Sequence, residues 1–354
     1  SRTIGKDFYS YGGGKYDWLG IDDGSRGLPD NFPNKTKFSN ATNQEKVELA
    51  KQIATNWKVE NSSAPVNTSF QASGGFNTKL FKKDFGAILG LTYNRSHRNL
   101  EFGNSFYSFD NSNASLLFDY NSHKYSSDVL AGALANFALK LDNNNKITLK
   151  NILNVNSSAY TTLRTGLDYE QNSQLGENIR ARELAFKSNT FFNTQLGGEH
   201  NIKGLKSKVN WYGSFNILDA YVPQQRRVQY NQSRETANAP YLLLMSESRS
   251  QKTGSVFYST LSDYIYNAGG DATINFNLFN NKQTVKAGYL FQVKDRLFNS
   301  RPFSIYLPDG TSPLRSVPED EVFQPGNFDA NDPCKFHFDE IIGKQFRYMA
   351  NSIL

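Results

Sequence analysis

"VLAGALANFALKLDNNNKITLKNILNV", residues 129–155, decides the fold. Read in steps of two, one side carries Val129, Ala131, Ala133, Ala135, Phe137, Leu139 and Leu141, and the other carries Leu130, Gly132, Leu134, Asn136, Ala138 and Lys140. After Asp142-Asn143-Asn144-Asn145 the alternation resumes, with Ile147, Leu149, Leu153 and Val155 set against Lys146, Thr148, Lys150 and Asn154. A period of two is that of a strand, and a short polar break between two such runs is a hairpin.

The unit recurs. Phe70, Ala72, Gly74, Phe76 and Leu80 lead through Lys82-Lys83-Asp84 to Ala87, Leu89, Leu91 and Tyr93. Leu184, Phe186, Phe192 and Leu196 lead through Lys203-Gly204-Leu205-Lys206 to Val209, Trp211, Phe215 and Ile217. Ala272, Ile274, Phe276 and Leu278 lead through Asn280-Asn281-Lys282 to Val285, Ala287, Tyr289, Phe291 and Val293. Between the hairpins the alternation fades, and long irregular polar connections are expected over about 96–118, 156–181, 218–268 and 295–345.

Charge is one-sided. The apolar runs hold no Lys, Arg, Asp or Glu, while the opposite sides carry Lys79, Lys140, Lys150, Lys187, Glu199, Lys208, Asp271, Lys286 and Lys294. A basic side chain facing lipid at mid-bilayer costs about 2–4 kcal/mol, whereas a position facing a watery lumen costs little. Each apolar stretch is close to the ~9–11 residues that a tilted strand needs to cross a bilayer. Short turns at one end and long connections at the other complete the expectation of an antiparallel transmembrane β-barrel. The competing reading is a soluble β-sandwich or propeller, whose strands average only about 5–6 residues.

Composition agrees. The 354 residues are 38% apolar and 14% aromatic, with 27 Phe and 19 Tyr, and no run approaches the length of an apolar membrane helix. The net charge of +6 comes from scattered basic residues, which gives no support to a nucleic-acid surface. Cys334 is the single cysteine, and His97, His123, His200 and His337 are far apart, so neither a disulfide nor a metal-ligand spacing is present. No catalytic signature stands out, and neither an enzyme nor a cofactor is expected.

"YGGGKYDWLGIDDG", residues 11–24, looks at first like a phosphate loop, but Tyr16 follows Lys15 where a Ser or Thr would be required. Asp17, Asp22 and Asp23 lack the calcium-loop rhythm too. "TNQEKVELAKQIATNW" is different: Thr42 and Glu45 make a capping box, and Val47, Ala50, Ile53, Ala54 and Trp57 form a helical stripe. A short helix near 43–56, packed on a loop, is expected.

The run Tyr11-x-Gly13-Gly14-Lys15-x-Asp17-Trp18-Leu19-Gly20-x-Asp22-Asp23-Gly24-x-Arg26-x-Leu28-Pro29, followed by a tight hairpin, resembles the TonB-dependent outer-membrane receptors of Bacteroidetes-type bacteria. There a comparable string stands in the loop after the first barrel strand. "GALANFALKLDNNNKITLKNILNVNSS" (132–158), "GEHNIKGLKSKVNWYGSF" (198–215) and "FHFDEIIGKQFRYMANSIL" (336–354) are similar to later segments in the same order. The resemblance implies a 22-stranded barrel around a plug domain. This sequence would supply about nine strands, with short periplasmic turns and long extracellular loops, as part of a longer protein.

On that basis residues 1–66 are expected to be an extracellular loop. Residues 67–354 are expected to be a partial barrel with strands about 67–81, 85–96, 127–141, 146–157, 183–202, 207–218, 270–279, 284–295 and 345–354. The implied function is energised uptake of a bulky solute (glycan, peptide or siderophore) across the cell outer membrane. The implied partners are outer-membrane lipid, a TonB-type transducer reached through the plug, and a surface lipoprotein lid. A self-contained small pore or adhesin, and a secreted carbohydrate-binding β domain, are the alternatives. Tyr221, Arg226, Tyr230 and Tyr241 are the candidate solute contacts, and Tyr93, Trp211 and Tyr289 the candidate interface anchors. Gly13, Gly14, Asp17, Trp18, Asp22, Asp23 and Arg26 form the family-like loop motif.

Overall fold

The decisive hairpin folds as its period requires. In a computed structural model, residues 113–140 and 145–168 pair antiparallel, with Ala131 opposite Val155 and Phe137 opposite Leu149. Asp142 closes the turn by accepting hydrogen bonds from the Asn144 amide and the Asn145 side chain, both at 2.7 Å. The structure describes residues 7–353 other than 54–55, 111–112, 171, 173, 246–247 and 280.

The strands are β1 (Asp7–Ser10), β2 (Glu60–Ser63), β3 (Thr68–Leu80), β4 (Lys83–Asp110), β5 (Asn113–Lys140), β6 (Asn145–Asp168), β7 (Glu177–Ile202), β8 (Ser207–Ser233), β9 (Leu242–Leu243), β10 (Ser255–Leu278), β11 (Asn281–Tyr306), β12 (His337–Glu340) and β13 (Gln345–Ile353). β1 and β2 form a small ribbon, and the rest form one antiparallel sheet in the order β12-β11-β10-β8-β7-β6-β5-β4-β3. β9 joins at β8 and β13 at β11. Among the described residues β3 and β13 pair with no further strand on their outer sides, so the sheet is open. The protein is all-β, at 65% strand and 8% helix.

Four expectations are corrected. The connections over 96–118, 156–181, 218–268 and 295–345 are irregular only in part: β4 runs on to Asp110, β6 to Asp168, β8 to Ser233 and β11 to Tyr306, each still paired with its neighbour, and the chain leaves the ladder only past those ends. Backbone hydrogen bonds sustain a ladder whatever its side chains, so the strands outlast the apolar alternation. The first tight turn is Phe81-Lys82, both at positive φ (53° and 60°), the geometry that matches hairpin twist. The helix ends at Gln52 because Ile53 is already extended. Val129, Leu184 and Phe186, read as part of a bare apolar face, are at most 2% exposed under other protein segments.

Register sorts the side chains into two faces. Directly opposed residues share a face, and the rows Ala72–Leu91–Ala133–Leu153–Phe192–Ile217 and Phe76–Ala87–Phe137–Leu149–Leu196–Gly213 run across the strands. Continued through β10 and β11 by Tyr266, Ala268, Ala272, Val285, Ala287 and Phe291, this face carries no charge between two rims. Its polar members there are Thr78, Asn151, Thr190, Thr194 and tyrosines. The rim at the tight turns holds Lys83, Asn145, His200 and Gln283, and the far rim holds Arg95, Ser157, Ser188, Asp219 and Asp295.

The opposite face over the same rows is charged. Lys208 meets Glu199 at 2.9 Å, Lys286 meets Asp271 at 3.3 Å, and Asp263 holds Lys294 at 3.1 Å and Arg296 at 2.6 Å. Asn193, Asn216, Asn267 and Gln292 join neighbouring strands by side-chain hydrogen bonds.

Beyond the far rim the apolar-side rows are roofed by a second layer. This layer comprises β1–β2, α1 (Lys35–Ser39), α2 (Asn43–Gln52) and the segment 307–338. Val47, Ala50, Ile53 and Trp57 from the helical stripe pack on Tyr230, Val256, Tyr258 and Phe303 of the sheet; Ala54 lies outside the described residues. Phe303 stacks on Phe338 at 5.1 Å and meets Phe38 edge-on at 5.5 Å. The capping box of Thr42 and Glu45 is present.

Candidate functional site

The glycine–aspartate string is a latch. Arg26, 5% exposed, forks onto Asp22 at 2.7 Å and onto Asp17, with its guanidinium 4.6 Å from the Phe186 ring. Asp23 accepts from the Lys15 and Ser25 amides, and its carboxyl is held down at about 2 by the Ser25 hydroxyl and these amides. A Cβ on Gly13 would stand 2.4 Å from Asp17 Oδ2, and one on Gly14 2.9 Å from Asp23 Oδ1, so the carboxylates occupy the room the glycines leave. Gly20, at φ +80°, seats the turn on Val129, Val155 and Ser157, and Tyr93 Oη donates to the Trp18 carbonyl at 2.6 Å. The motif thus folds as one unit at the far rim, where the contacts of Gly20 and of the Trp18 backbone carbonyl join it to the sheet, while Trp18 itself stays 51% exposed.

The candidate solute contacts fall in or against this roof. Arg226 and Tyr230 are 4% and 1% exposed: Arg226 donates to the Asn56 carbonyl beneath the Tyr11 and Trp57 rings, and Tyr230 donates to the Val317 carbonyl at 2.5 Å. Tyr221 is half-buried beside Gly27, and Tyr241 is half-buried with the Arg180 guanidinium 4.8 Å over its ring. Of the anchors, Tyr93 sits just inside the far rim. Trp211 and Tyr289 lie in one row toward the tight turns, 39% and 64% exposed, with Trp211 Nε1 donating to His200 at 3.0 Å.

A different cleft, missed in the sequence, opens on the charged face beyond the far rim. It has a volume of about 380 Å³ and is lined by Phe118, Tyr120, Arg164, Glu183, Arg227 and Lys252, among others. Phe118 stacks on Tyr120 at 4.4 Å and on Phe106 at 5.8 Å, and Arg164 stands 5.2 Å over the Tyr120 ring. Glu183 gathers Tyr160, Gln225 and Arg227 at 2.8, 2.5 and 3.1 Å. Lys252 bridges Asp168 at 2.9 Å and Glu170 at 2.6 Å, and Tyr120 donates to Asp168 at 2.8 Å.

Burial pushes the Asp168 carboxyl up, but the Glu170 amide, Lys252 and Tyr120 together outweigh it and leave it depressed. Glu183 is likewise opposed by burial and held low by Arg227, Tyr160 and Gln225. These carboxylates are therefore ionised hydrogen-bond acceptors at neutral pH. Beside stacked rings they form a surface suited to holding a polar solute. The only advance signal was the pairing of aromatic and charged residues within 118–126 and 160–164, too short to read as a site.

Among the described residues no three His, Cys, Asp or Glu side chains converge as a metal site. Cys334 Sγ lies 3.4 Å from Asp309, which raises its pKa and makes it a poor nucleophile. Comparison with protein-family models, curated proteins and solved structures gives no match to this chain.

Proposed function

We propose that the sheet is part of the wall of an outer-membrane barrel, and that the protein is a TonB-dependent receptor taking up a bulky polar solute. The observation that carries this reading is the chargeless band on one face. It crosses eight strands, β3 to β8, β10 and β11, and spans about ten residues along each between polar rims. At about 4.8 Å between strands and about 3.3 Å per residue, it covers roughly 1,100 Å², against the few hundred Å² that soluble monomers expose. Ten residues are about 33 Å of strand, which at a tilt near 45° spans about 23 Å, close to the ~25 Å apolar band of outer-membrane barrels.

In this reading the charged face lines the lumen, and the cleft around Tyr120 and Glu183 meets the solute at the extracellular mouth. The resemblance of the loop motif and hairpins supplies the energised mechanism, in which a plug pulled from the periplasm opens the path. Fractionation tests the wall: the protein should partition with detergent-extracted outer membrane and shift gel mobility on heating. Recovery in the soluble fraction would reject it. Solute accumulation should stop when the proton-motive force is collapsed, and uptake that continues would favour a passive pore.

A further inference from the structure

At the far rim of the apolar face, the motif loop and the sheet enclose a cavity of about 440 Å³. Arg95 of β4 and Thr161 of β6 line its sheet side, and Tyr11, Lys15 and Trp18 line its loop side. Neither Arg95 nor Lys15 has a carboxylate partner among the described residues, whereas Asp22 is held by Arg26 and Asp23 by the Lys15 and Ser25 amides. Asp17, which also lines the cavity, is held by Arg26 and the Gly14 amide through Oδ2 and leaves Oδ1 without a partner, so the two basic side chains face one half-neutralised carboxylate. Arg95 Nε and the hydroxyls of Thr161 and Tyr11 are buried without hydrogen-bond partners, Thr161 being 1% and Tyr11 9% exposed. Buried donors left unmatched are unfavourable, more so beside a charge, so this cavity favours an anionic acceptor with several oxygens.

The cavity also has a direction. Tyr16, Trp18 and Ile21 are 43–51% exposed on the same turn. The Tyr93–Trp18 hydrogen bond pins that turn at the upper edge of the chargeless band. Cationic donors thus stand directly above an apolar surface, with aromatic side chains between them.

We propose that this cavity binds the phosphate of a net-anionic lipid headgroup whose acyl chains lie along the band, with Arg95 and Lys15 as its cationic donors. Arg95 supplies N–H donors, Lys15 a mobile point charge, and Thr161 and Tyr11 hydroxyl donors. The inference rests on the membrane reading given above, and its failure is separable from the failure of that reading.

The test uses the whole protein extracted from outer membranes in nonionic detergent, with binding followed by native mass spectrometry. The probes are short-chain phosphatidic acid, short-chain phosphatidylcholine and inorganic phosphate. Saturable binding of the phosphatidic acid is expected, weakened at least tenfold by Arg95→Gln and by Lys15→Gln. Arg98→Gln, whose side chain pairs with Asp128 on the other face, should bind as the unaltered protein does.

Equal binding of the zwitterionic lipid, equal binding by both cavity variants, or inorganic phosphate saturating at the same concentration would each overturn the proposal. Protein that fractionates with outer membrane and shifts on heating, yet shows one of those results, loses only this inference. Protein absent from the outer membrane loses both.

Discussion

The sharpest perturbation is one arginine placed on either side of the same strand. Ala135 lies mid-band on the apolar face, opposite Leu89 and Asn151, and Ala138 lies on the charged face, opposite Gly86 and Thr148. The substitution is the same at both positions, so changes in strand propensity largely cancel and the difference reports the surroundings. Facing hydrocarbon at the midplane, Ala135→Arg should cost about 2–4 kcal/mol, and Ala131→Arg, directly opposite Tyr93 at the edge of the band, about 0–1 kcal/mol. Ala138→Arg should stay within about 0.5 kcal/mol, as an exposed polar substitution does. The mid-band cost corresponds to roughly a 30- to 700-fold shift in the folding equilibrium. Guanidinium unfolding in lipid vesicles, followed by heat-modifiable mobility, measures it. Equal costs at Ala135 and Ala138, or an Ala135 cost under about 0.5 kcal/mol, would refute the membrane wall.

Three other outcomes follow from the contacts. Arg26→Ala strands the Asp17 and Asp22 carboxylates, 18% and 5% exposed, and should destabilise the latch by about 3 kcal/mol, with Arg26→Lys recovering less than half because an ammonium cannot fork. Faster amide exchange across residues 11–28 is the readout. Gly20→Ala meets positive φ together with Ser157 Oγ at 2.8 Å, whereas Gly24→Ala meets positive φ alone, with nothing within 4 Å. The first should cost about 1–3 kcal/mol and the second distinctly less, read by Trp18 anisotropy. The Lys252 clamp on Asp168 and Glu170 has a pH window. The depressed Asp168 contributes stability that is full above about pH 4 and is lost as pH falls through its folded value. For Lys252, burial is outweighed by Glu170 and Asp168, so its raised value contributes stability that is full below about pH 10 and lost above it. Amide exchange of 249–254 should accelerate at both extremes, and Lys252→Met should flatten both limbs.

The tight-turn end of the sheet was legible because one face there is apolar and the other polar, which writes the strand period into the sequence. Past Arg95, Ser157 and Asp219 both faces are polar or roofed, so the period vanishes while the backbone ladder continues. This is why β4 and β8 run far beyond their expected ends. The helix was legible through its capping box and stripe, but not the burial of its stripe against Phe303, which is distant in sequence. Arg226 and Tyr230 looked like mouth residues by composition, yet their side chains are consumed by the Asn56 and Val317 carbonyls. The Tyr120–Glu183 cleft draws on β5, β6, β7 and the 249–254 segment, a juxtaposition only the strand register creates.

Spin labels scanned along residues 130–140 in lipid-embedded protein test the central claim most directly. Labels at 131, 133, 135, 137 and 139 should be relaxed strongly by oxygen and weakly by a water-soluble nickel complex, with the reverse at the even positions. Nickel accessibility equal on both sides, or oxygen contact confined to the even positions, would contradict a sheet that separates hydrocarbon from water.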